Sequence, residues 1–363
     1  AFACMLLLAL FASAGVLIMY LDAPLTHKEL SAENRRYILA AARDTWAFFE
    51  TFCTEKNGFL PPDNFQYRPL GKAVNNTSPT NIGMAITSAI AAQELGFIDE
   101  SRLCKMLLGM CRAIEGLEKW HGHLYNWYSI ETMQPLHPKY VSTVDSGNLA
   151  AALMCAEVKL SSLGRKETAV RFGALYTDID FGLLADGERK LLSIGFDAET
   201  GRLSKSRYDL FASEARLTYF VAAALNKIDA RYYYSLSRLL TSVRTRRVHL
   251  SWSGTMFEYL MPIIFTGSVY MSAAGESAEN AVYVQQLCAR RGMPWGVSES
   301  GYYAFDANML YQYRAFGERR LALCPYREEE SVAAPYASML ALMTDPNEAA
   351  ANLRRLEAIG ALC

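Results

Sequence analysis

The sequence predicts an all-α fold in which helical hairpins close into a toroid, and three observations carry that expectation. About twelve segments show apolar residues at helical spacing with short connections between them. There is no alternation of strand and helix, no G-x-G-x-x-G and no Walker loop, so nucleotide-binding α/β folds are excluded. A helical solenoid, the rival architecture, needs a repeating sequence period, and none is present. The chain of 363 residues is 52% hydrophobic and 20% charged, enough for one large core or two ordinary domains.

Residues 1–21 carry no charge. As a helix rising ~1.5 Å per residue they would reach ~31 Å, about the thickness of a bilayer's hydrocarbon core. A signal peptide would open with Met and a basic stretch, and both are missing. The expectation is a chain starting inside or just before a transmembrane helix (1–21), then a linker (22–32) and one domain (33–363). Lys28, Arg35, Arg36 and Arg43 place the domain after the span on the cytoplasmic side. A buried core helix is the plainer alternative, but core helices of this length carry a polar stripe.

Residues 31–52 read as an amphipathic helix with Tyr37, Ile38, Ala41, Trp46, Phe48, Phe49 and Phe52 on its apolar positions. Further helices are expected over roughly 80–96, 100–116, 146–161, 165–185, 209–226, 230–244, 255–265, 277–291, 305–315, 330–343 and 347–359. Asp145, Asp209 and Asp345 stand where N-caps would stand. LLSIGFDAETGRLSKSRYD has the pattern of a β-hairpin turning at D-A-E-T-G.

Thirty-six Lys and Arg against 37 Asp and Glu give a net charge of -1, which offers no electrostatic footprint for nucleic acid. Eight cysteines are scattered without a C-x-x-C pair, and His121 and His123 have no acidic or histidine partner close by in sequence, so neither metal nor cofactor is expected. Cys104, Cys111 and Cys155 lie in apolar helical stretches and read as small buried hydrophobes, a use of thiols that suits a reducing compartment.

The informative residues are acids in surroundings that avoid charge. Glu258 is the single charge in residues 250–275, Glu299 the single charge between Arg291 and Asp306, and Glu214 shares a predicted helix face with Leu210, Phe211, Leu217 and Val221. An unpaired carboxylate on an apolar face either costs several kcal/mol or holds its proton, so a fold keeps one that is paired, hydrogen-bonded or useful. Structural roles stand beside functional ones. Glu214 can pair with Arg216 or Arg207, Glu258 can satisfy backbone amides behind a pocket wall, Glu299 can be a solvated loop acid, and Asp145 can be an N-cap. Four of five tryptophans (Trp120, Trp127, Trp252, Trp295) lie between helices or beside these acids. Flat rings stack on the apolar faces of sugars. Two acids with aromatic platforms are the minimal apparatus for glycosidic-bond chemistry, one acid protonating the leaving oxygen while the other attacks or activates water.

Eight strings then occur in one order: LPPDNFQ (60–66), TSPTNIG (77–83), GHLYNWY (122–128), PKYVSTVDSGNL (138–149), ASEARL (212–217), SWSGTMFEYLMP (251–262), PWGVSES (294–300) and APYA (334–337). Over roughly residues 33–360 they resemble the middle, glucoamylase-like domain of bacterial cyclic β-1,2-glucan synthases. The resemblance implies an (α/α)6 barrel that closes a linear β-1,2-glucan by anomer-retaining transglycosylation. It implies a bacterial inner-membrane setting, with the domain on the cytoplasmic side, and glycosyltransferase and phosphorylase-like domains as partners in the longer protein. It implies Glu299 as general acid/base and Glu214 as nucleophile, with the proton relayed through a substrate hydroxyl, so that the usual carboxylate spacing of about 5 Å need not apply. The remaining expected glucan contacts are Asn81, Tyr125, Trp127, Asp145, Asn148, Trp252, Glu258, Trp295 and Tyr302. The glycosyltransferase and phosphorylase regions are missing and the last part of the domain is expected to be cut short, so this chain would rearrange a glucan rather than build one from a sugar nucleotide. The alternatives are an endo-β-1,2-glucanase and a non-catalytic glycan-binding module.

Overall fold

The computed structural model describes residues 29–267, 272–289, 293–325 and 332–361. The expected membrane span and most of the linker lie outside these residues, and no described helix is long and apolar enough to cross a membrane.

Among the described residues twelve helices succeed one another: α1 (Ala32–Phe52), α2 (Pro79–Glu94), α3 (Glu100–Gly116), α4 (Thr143–Ser162), α5 (Lys166–Thr177), α6 (Arg216–Ala224), α7 (Arg231–Tyr234), α8 (Met256–Leu260), α9 (Ile263–Thr266), α10 (Ala273–Cys288), α11 (Pro335–Leu340) and α12 (Pro346–Ala358). Short polar caps fix where several begin. Ser31, Ser78, Asp99 and Ser142 accept from the backbone N–H three residues on, and Pro79, Pro335 and Pro346 sit in first turns, where no N–H is needed.

Burial divides the helices into two kinds. In α2 and α4, Ile82, Ala85, Ile86 and Ala89 and then Leu149, Ala150, Ala152 and Leu153 are buried, leaving little polar surface. By contrast α3 and α12 bury one stripe and expose the rest, as helices with solvent on one side do, and α1 fully buries only Trp46. Helix α4 packs on α2, α5 and α6. Its contact with α6 depends on Gly147, where an added Cβ would come 2.0 Å from Thr218 Oγ1 and 2.7 Å from Thr218 Cα. The last helix returns to the first: Arg354 donates to Asn34 (2.9 Å) and pairs with Glu33 (3.1 Å), and Tyr37 donates to Glu357 (2.9 Å).

Short strands edge the connections. Tyr140–Ser142, Gly195–Asp197 and Arg202–Leu203 form one antiparallel sheet, in which Asp197 faces Arg202 across the D-A-E-T-G turn read from the sequence. Four helical expectations need correction. The stretch 230–244 is helical only over Arg231–Tyr234. Beyond it Leu240–Val243 pairs with Arg246–His249, because Thr241, Val243 and Val248 are β-branched and a turn at Arg244 (φ 54°) reverses the chain. Likewise 305–315 is a hairpin, with Glu299–Phe305 against Tyr311–Ala315. There Asp306 accepts from the N–H groups of Asn308 and Leu310 and folds the turn that stops a helix. The 165–185 helix ends at Thr177, before a 3₁₀ turn at Phe181–Leu184, and the 209–226 helix begins only at Arg216. Cys155 is exposed and Cys104 only half-buried, against the expectation of buried thiols, whereas Cys111 is buried.

Candidate active site

Glu214 lies in a tight turn just before α6 rather than on the helix face expected for it; the N–H groups of Arg216 and Leu217 close the turn on Ser213 and Glu214 carbonyls (3.1 and 3.2 Å). Its half-buried carboxylate accepts from the Ser213 hydroxyl (3.2 Å). Neither arginine considered as its partner pairs with it: Arg207 meets Asp186 (3.3 Å), and Arg216 donates to the carbonyls of Phe211 and Tyr259 (3.4 Å each). Burial raises the pKa of Glu214, and the charges of Glu258 and Glu299 raise it further.

Glu258 stands at the third position of α8 and is 4% exposed. It accepts from the Ser251 hydroxyl (2.9 Å), the N–H groups of Trp252 (3.1 Å) and Ser253 (3.3 Å), and both the N–H (2.9 Å) and hydroxyl (3.0 Å) of Thr255. Burial raises its pKa while these donors oppose the rise. With five donors on it, the carboxylate acts as a clamp on the Ser251–Thr255 loop, which corresponds to the structural role weighed from the sequence.

Glu299 begins the hairpin strand and faces Ala315. Its half-buried carboxylate accepts from the Tyr313 hydroxyl, and its carbonyl accepts from Tyr336 (2.9 Å), which also shares a hydrogen bond with Ser298 (2.8 Å). Burial raises the Glu299 pKa and so does the charge of Glu258, while the Tyr313 bond favours the anion.

Backbone ties bring the three acids together. The N–H of Met256 donates to the Val297 carbonyl (3.3 Å) and that of Phe257 to Ser298 Oγ (3.1 Å), joining α8 to the strand of Glu299. Arg216 joins the turn of Glu214 to Tyr259 on the same helix. The result is a carboxylate cluster whose members repel one another, so that full ionisation at neutral pH is unfavourable. Tyr208 lies in the same field; after burial, the charges of Glu214, Asp145 and Glu299 all raise its pKa.

The other expected contacts divide. Asp145 is not an N-cap: Ser142 caps α4, and Asp145 in its first turn accepts from the Thr80 N–H (3.3 Å), its pKa raised by burial. In the amide orientation that satisfies both of its groups, Asn126 donates to Asp145 (3.0 Å) and accepts from the indole N–H of half-buried Trp127 (3.2 Å). Asn148 donates to Thr80 (3.0 Å), and its buried carbonyl oxygen has no partner among the described residues; Asn81 donates to Asp63 (2.9 Å). Trp252 is 39% exposed, with its N–H on Asp209 (2.9 Å), so Asp209 is a ring anchor rather than an N-cap. Tyr302 stands edge-on to Phe316. Two residues are buried instead. Trp295 is 3% exposed within the core, its backbone held by Asn352, and buried Tyr125 lies beside Lys139 and Glu118. Neither offers a ring face as a platform. Sequence reasoning missed Tyr313, Tyr336 and Tyr208; the Y-Q-Y alternation at 311–313 would have pointed to Tyr313 had the hairpin been read.

No family model matches the chain. Over 88% of its length it is 30% identical to the cyclic β-(1,2)-glucan synthase NdvB of Rhizobium meliloti, of which it spans only 16%. A Bacteroides fragilis protein provisionally named a glucoamylase has the same fold (TM-score 0.72, 16% identity, 93% of this chain and 84% of that one). So does an endo-β-1,2-glucanase from Chitinophaga pinensis, solved with sophorotriose and glucose (TM-score 0.70, 16% identity, 91% and 82%). The chain thus has a glucoamylase-like fold and is similar, over most of its length, to one segment of a cyclic β-1,2-glucan synthase.

Proposed function

We propose that this domain breaks and re-forms β-1,2-glucosidic bonds with retention at the anomeric carbon, joining a linear glucan to its own far end. The observation that carries the reading is the meeting of Glu214, Glu258 and Glu299, from three distant parts of the sequence, in one mutually repelling cluster. Similarity to the glucan synthase segment supplies the substrate class. On this reading the hairpins form an (α/α)6 toroid, and Trp127, Trp252 and Tyr302 hold sugar rings. Asn81, Asp145 and Asn148 meet hydroxyls, while Glu258, Trp295 and Tyr125 act from behind by fixing loops. The apolar residues 1–21 anchor the domain at a bacterial inner membrane, on its cytoplasmic side, where glycosyltransferase and phosphorylase-like domains handle the same glucan.

The division of labour derives from the charges. Glu214 accepts one side-chain hydroxyl bond and feels two carboxylates, so it keeps its proton, whereas the Tyr313 hydroxyl stabilises an ionised Glu299. That reverses the roles implied by the sequence resemblance: Glu214 is the general acid/base and Glu299 the nucleophile. Glu214 gives its proton to the leaving oxygen, directly or through a sugar hydroxyl, as the C1–O bond breaks and Glu299 bonds to C1. The glucan's distal 2-hydroxyl then attacks C1, its proton returns to Glu214, and Glu299 leaves. Favouring that hydroxyl over water requires an acceptor held in place, an effect on the order of several kcal/mol.

The test is incubation with long linear β-1,2-glucan and mass analysis for rings. New reducing ends without rings would replace this reading with hydrolysis, and binding without products would replace it with a glycan-binding module. Glu299→Gln is expected to lose about 10²-fold or more with every substrate. Glu214→Gln is expected to retain activity on an aryl glycoside with a good leaving group and, with azide, to give the β-glycosyl azide. An α-azide from Glu214→Gln would restore the opposite assignment.

A further inference from the structure

Beside the Glu214 turn lies a cavity of about 330 Å³, lined by Phe211, Arg216, Phe220, Tyr233 and Arg238 and by the start of α10 at Ser272–Ala274. Its lining contains two guanidinium groups and no carboxylate. Arg216 is 4% exposed and pairs with no acid among the described residues; its contacts are the two backbone carbonyls at 3.4 Å, long for hydrogen bonds, which leave most of its five N–H donors unused. Among the described residues Arg238 likewise donates only to carbonyls, those of Tyr233, Tyr234 and Leu236. Both guanidiniums lie against the Phe211 ring, at 5.0 and 4.7 Å from its centre, so two like charges share one apolar wall. The His249 ring lies tilted against the same ring, 5.1 Å between centres. Burial lowers its pKa and the two arginines lower it further, as expected beside uncompensated positive charge. The N-terminus of the 16-residue α10 adds a positive dipole end, its Ser272 side chain already engaged by the Gly275 N–H.

We infer that this cavity is a binding site for a phosphate-class oxyanion, taken between Arg216, Arg238 and the first N–H groups of α10, with Phe211, Phe220 and Tyr233 accommodating an apolar or ring-bearing remainder. A planar guanidinium with free N–H groups suits phosphate oxygens, and because Arg216 is already buried, binding avoids the cost of desolvating it anew.

Inorganic phosphate is the probe, compared with chloride at matched ionic strength. Phosphate is expected to raise the melting temperature by several degrees and to move the NMR titration of His249 to higher pH, since a bound anion offsets the neighbouring cations. Arg216→Met is expected to weaken phosphate binding by about tenfold or more and to abolish the His249 shift. Should that variant fold poorly, Arg238→Gln, at an exposed position, carries the same expectation. A His249 titration indifferent to phosphate, or shifted equally in the variants, overturns the site. A soluble sugar phosphate and a short-chain phosphatidylglycerol below its micellar concentration separate the two sources of such a group. Arginine-dependent binding of the first assigns a metabolite and of the second a lipid headgroup, while failure of both together with phosphate refutes the inference. None of these readouts depends on glucan turnover.

Discussion

Charge balance among a few side chains sets what the candidate site can do. Tyr313 is the sharpest case, because its hydroxyl is the one side-chain donor on the Glu299 carboxylate among the described residues. Removing it in Tyr313→Phe withdraws a bond that favours the anion, so the Glu299 pKa rises. If ionised Glu299 is the attacking form, activity is lost as pH falls through that pKa, and the acid limb of kcat/KM against pH is expected to move upward. The rate at the optimum should fall about tenfold to a hundredfold, in keeping with about 1.5–3 kcal/mol for a hydrogen bond to a charged group. An unmoved acid limb would assign Tyr313 a packing role only. The sequence marked Glu299 as isolated among apolar and aromatic residues but not its tyrosine partner, since Tyr313 reaches it only through the pairing of two strands.

Two elements hold the acids in place. The Ser251–Thr255 loop is built around Glu258, so Glu258→Ala would leave two hydroxyls and three N–H groups without their acceptor. A loss of about 3 kcal/mol or more in urea unfolding is expected, with altered fluorescence from Trp252 on the same loop. An unchanged midpoint would mean that the loop stands without its clamp. The α4–α6 crossing is the second support. Gly147→Ala would gain up to about 1 kcal/mol of helix propensity, but the new methyl meets backbone as well as side chain of Thr218, and such overpacking costs about 1–3 kcal/mol. Net destabilisation, seen as a lower melting temperature, is expected, and greater stability would show that the helices can separate. Helices α1 to α4 were legible from apolar spacing and capping residues. The hairpins at 240–249 and 299–315 were not, because aromatic and β-branched runs with scattered charges fit a helix stripe as readily as a strand until the turn residues are weighed.

Acids with raised pKa values also make the stability of the whole molecule depend on pH. Glu214, Glu258, Glu299 and Asp145 are all held above the usual carboxylate range, chiefly by burial. Each therefore favours folding fully below its unfolded pKa, about 4, and this contribution is lost as pH rises through the folded value. Asp229, held down to about 2 by Arg231, acts oppositely and only in stronger acid. The melting temperature is expected to decline from about pH 5 toward alkaline pH, and Glu214→Gln, which cannot ionise, should flatten that decline while impairing glucan turnover. A parallel decline in both proteins would exclude Glu214 as a source of it. By itself the sequence determined a helix-rich chain with charges stranded in apolar stretches and ordered strings that resemble a known family, because periodicity and composition are local properties. It could not determine that Glu214 and Glu299 share an electrostatic field, that Glu258 faces inward as a clamp, or that Trp295 belongs to the core. Those outcomes depend on which distant backbones hydrogen-bond and pack together, and only the closed tertiary structure brings those backbones together.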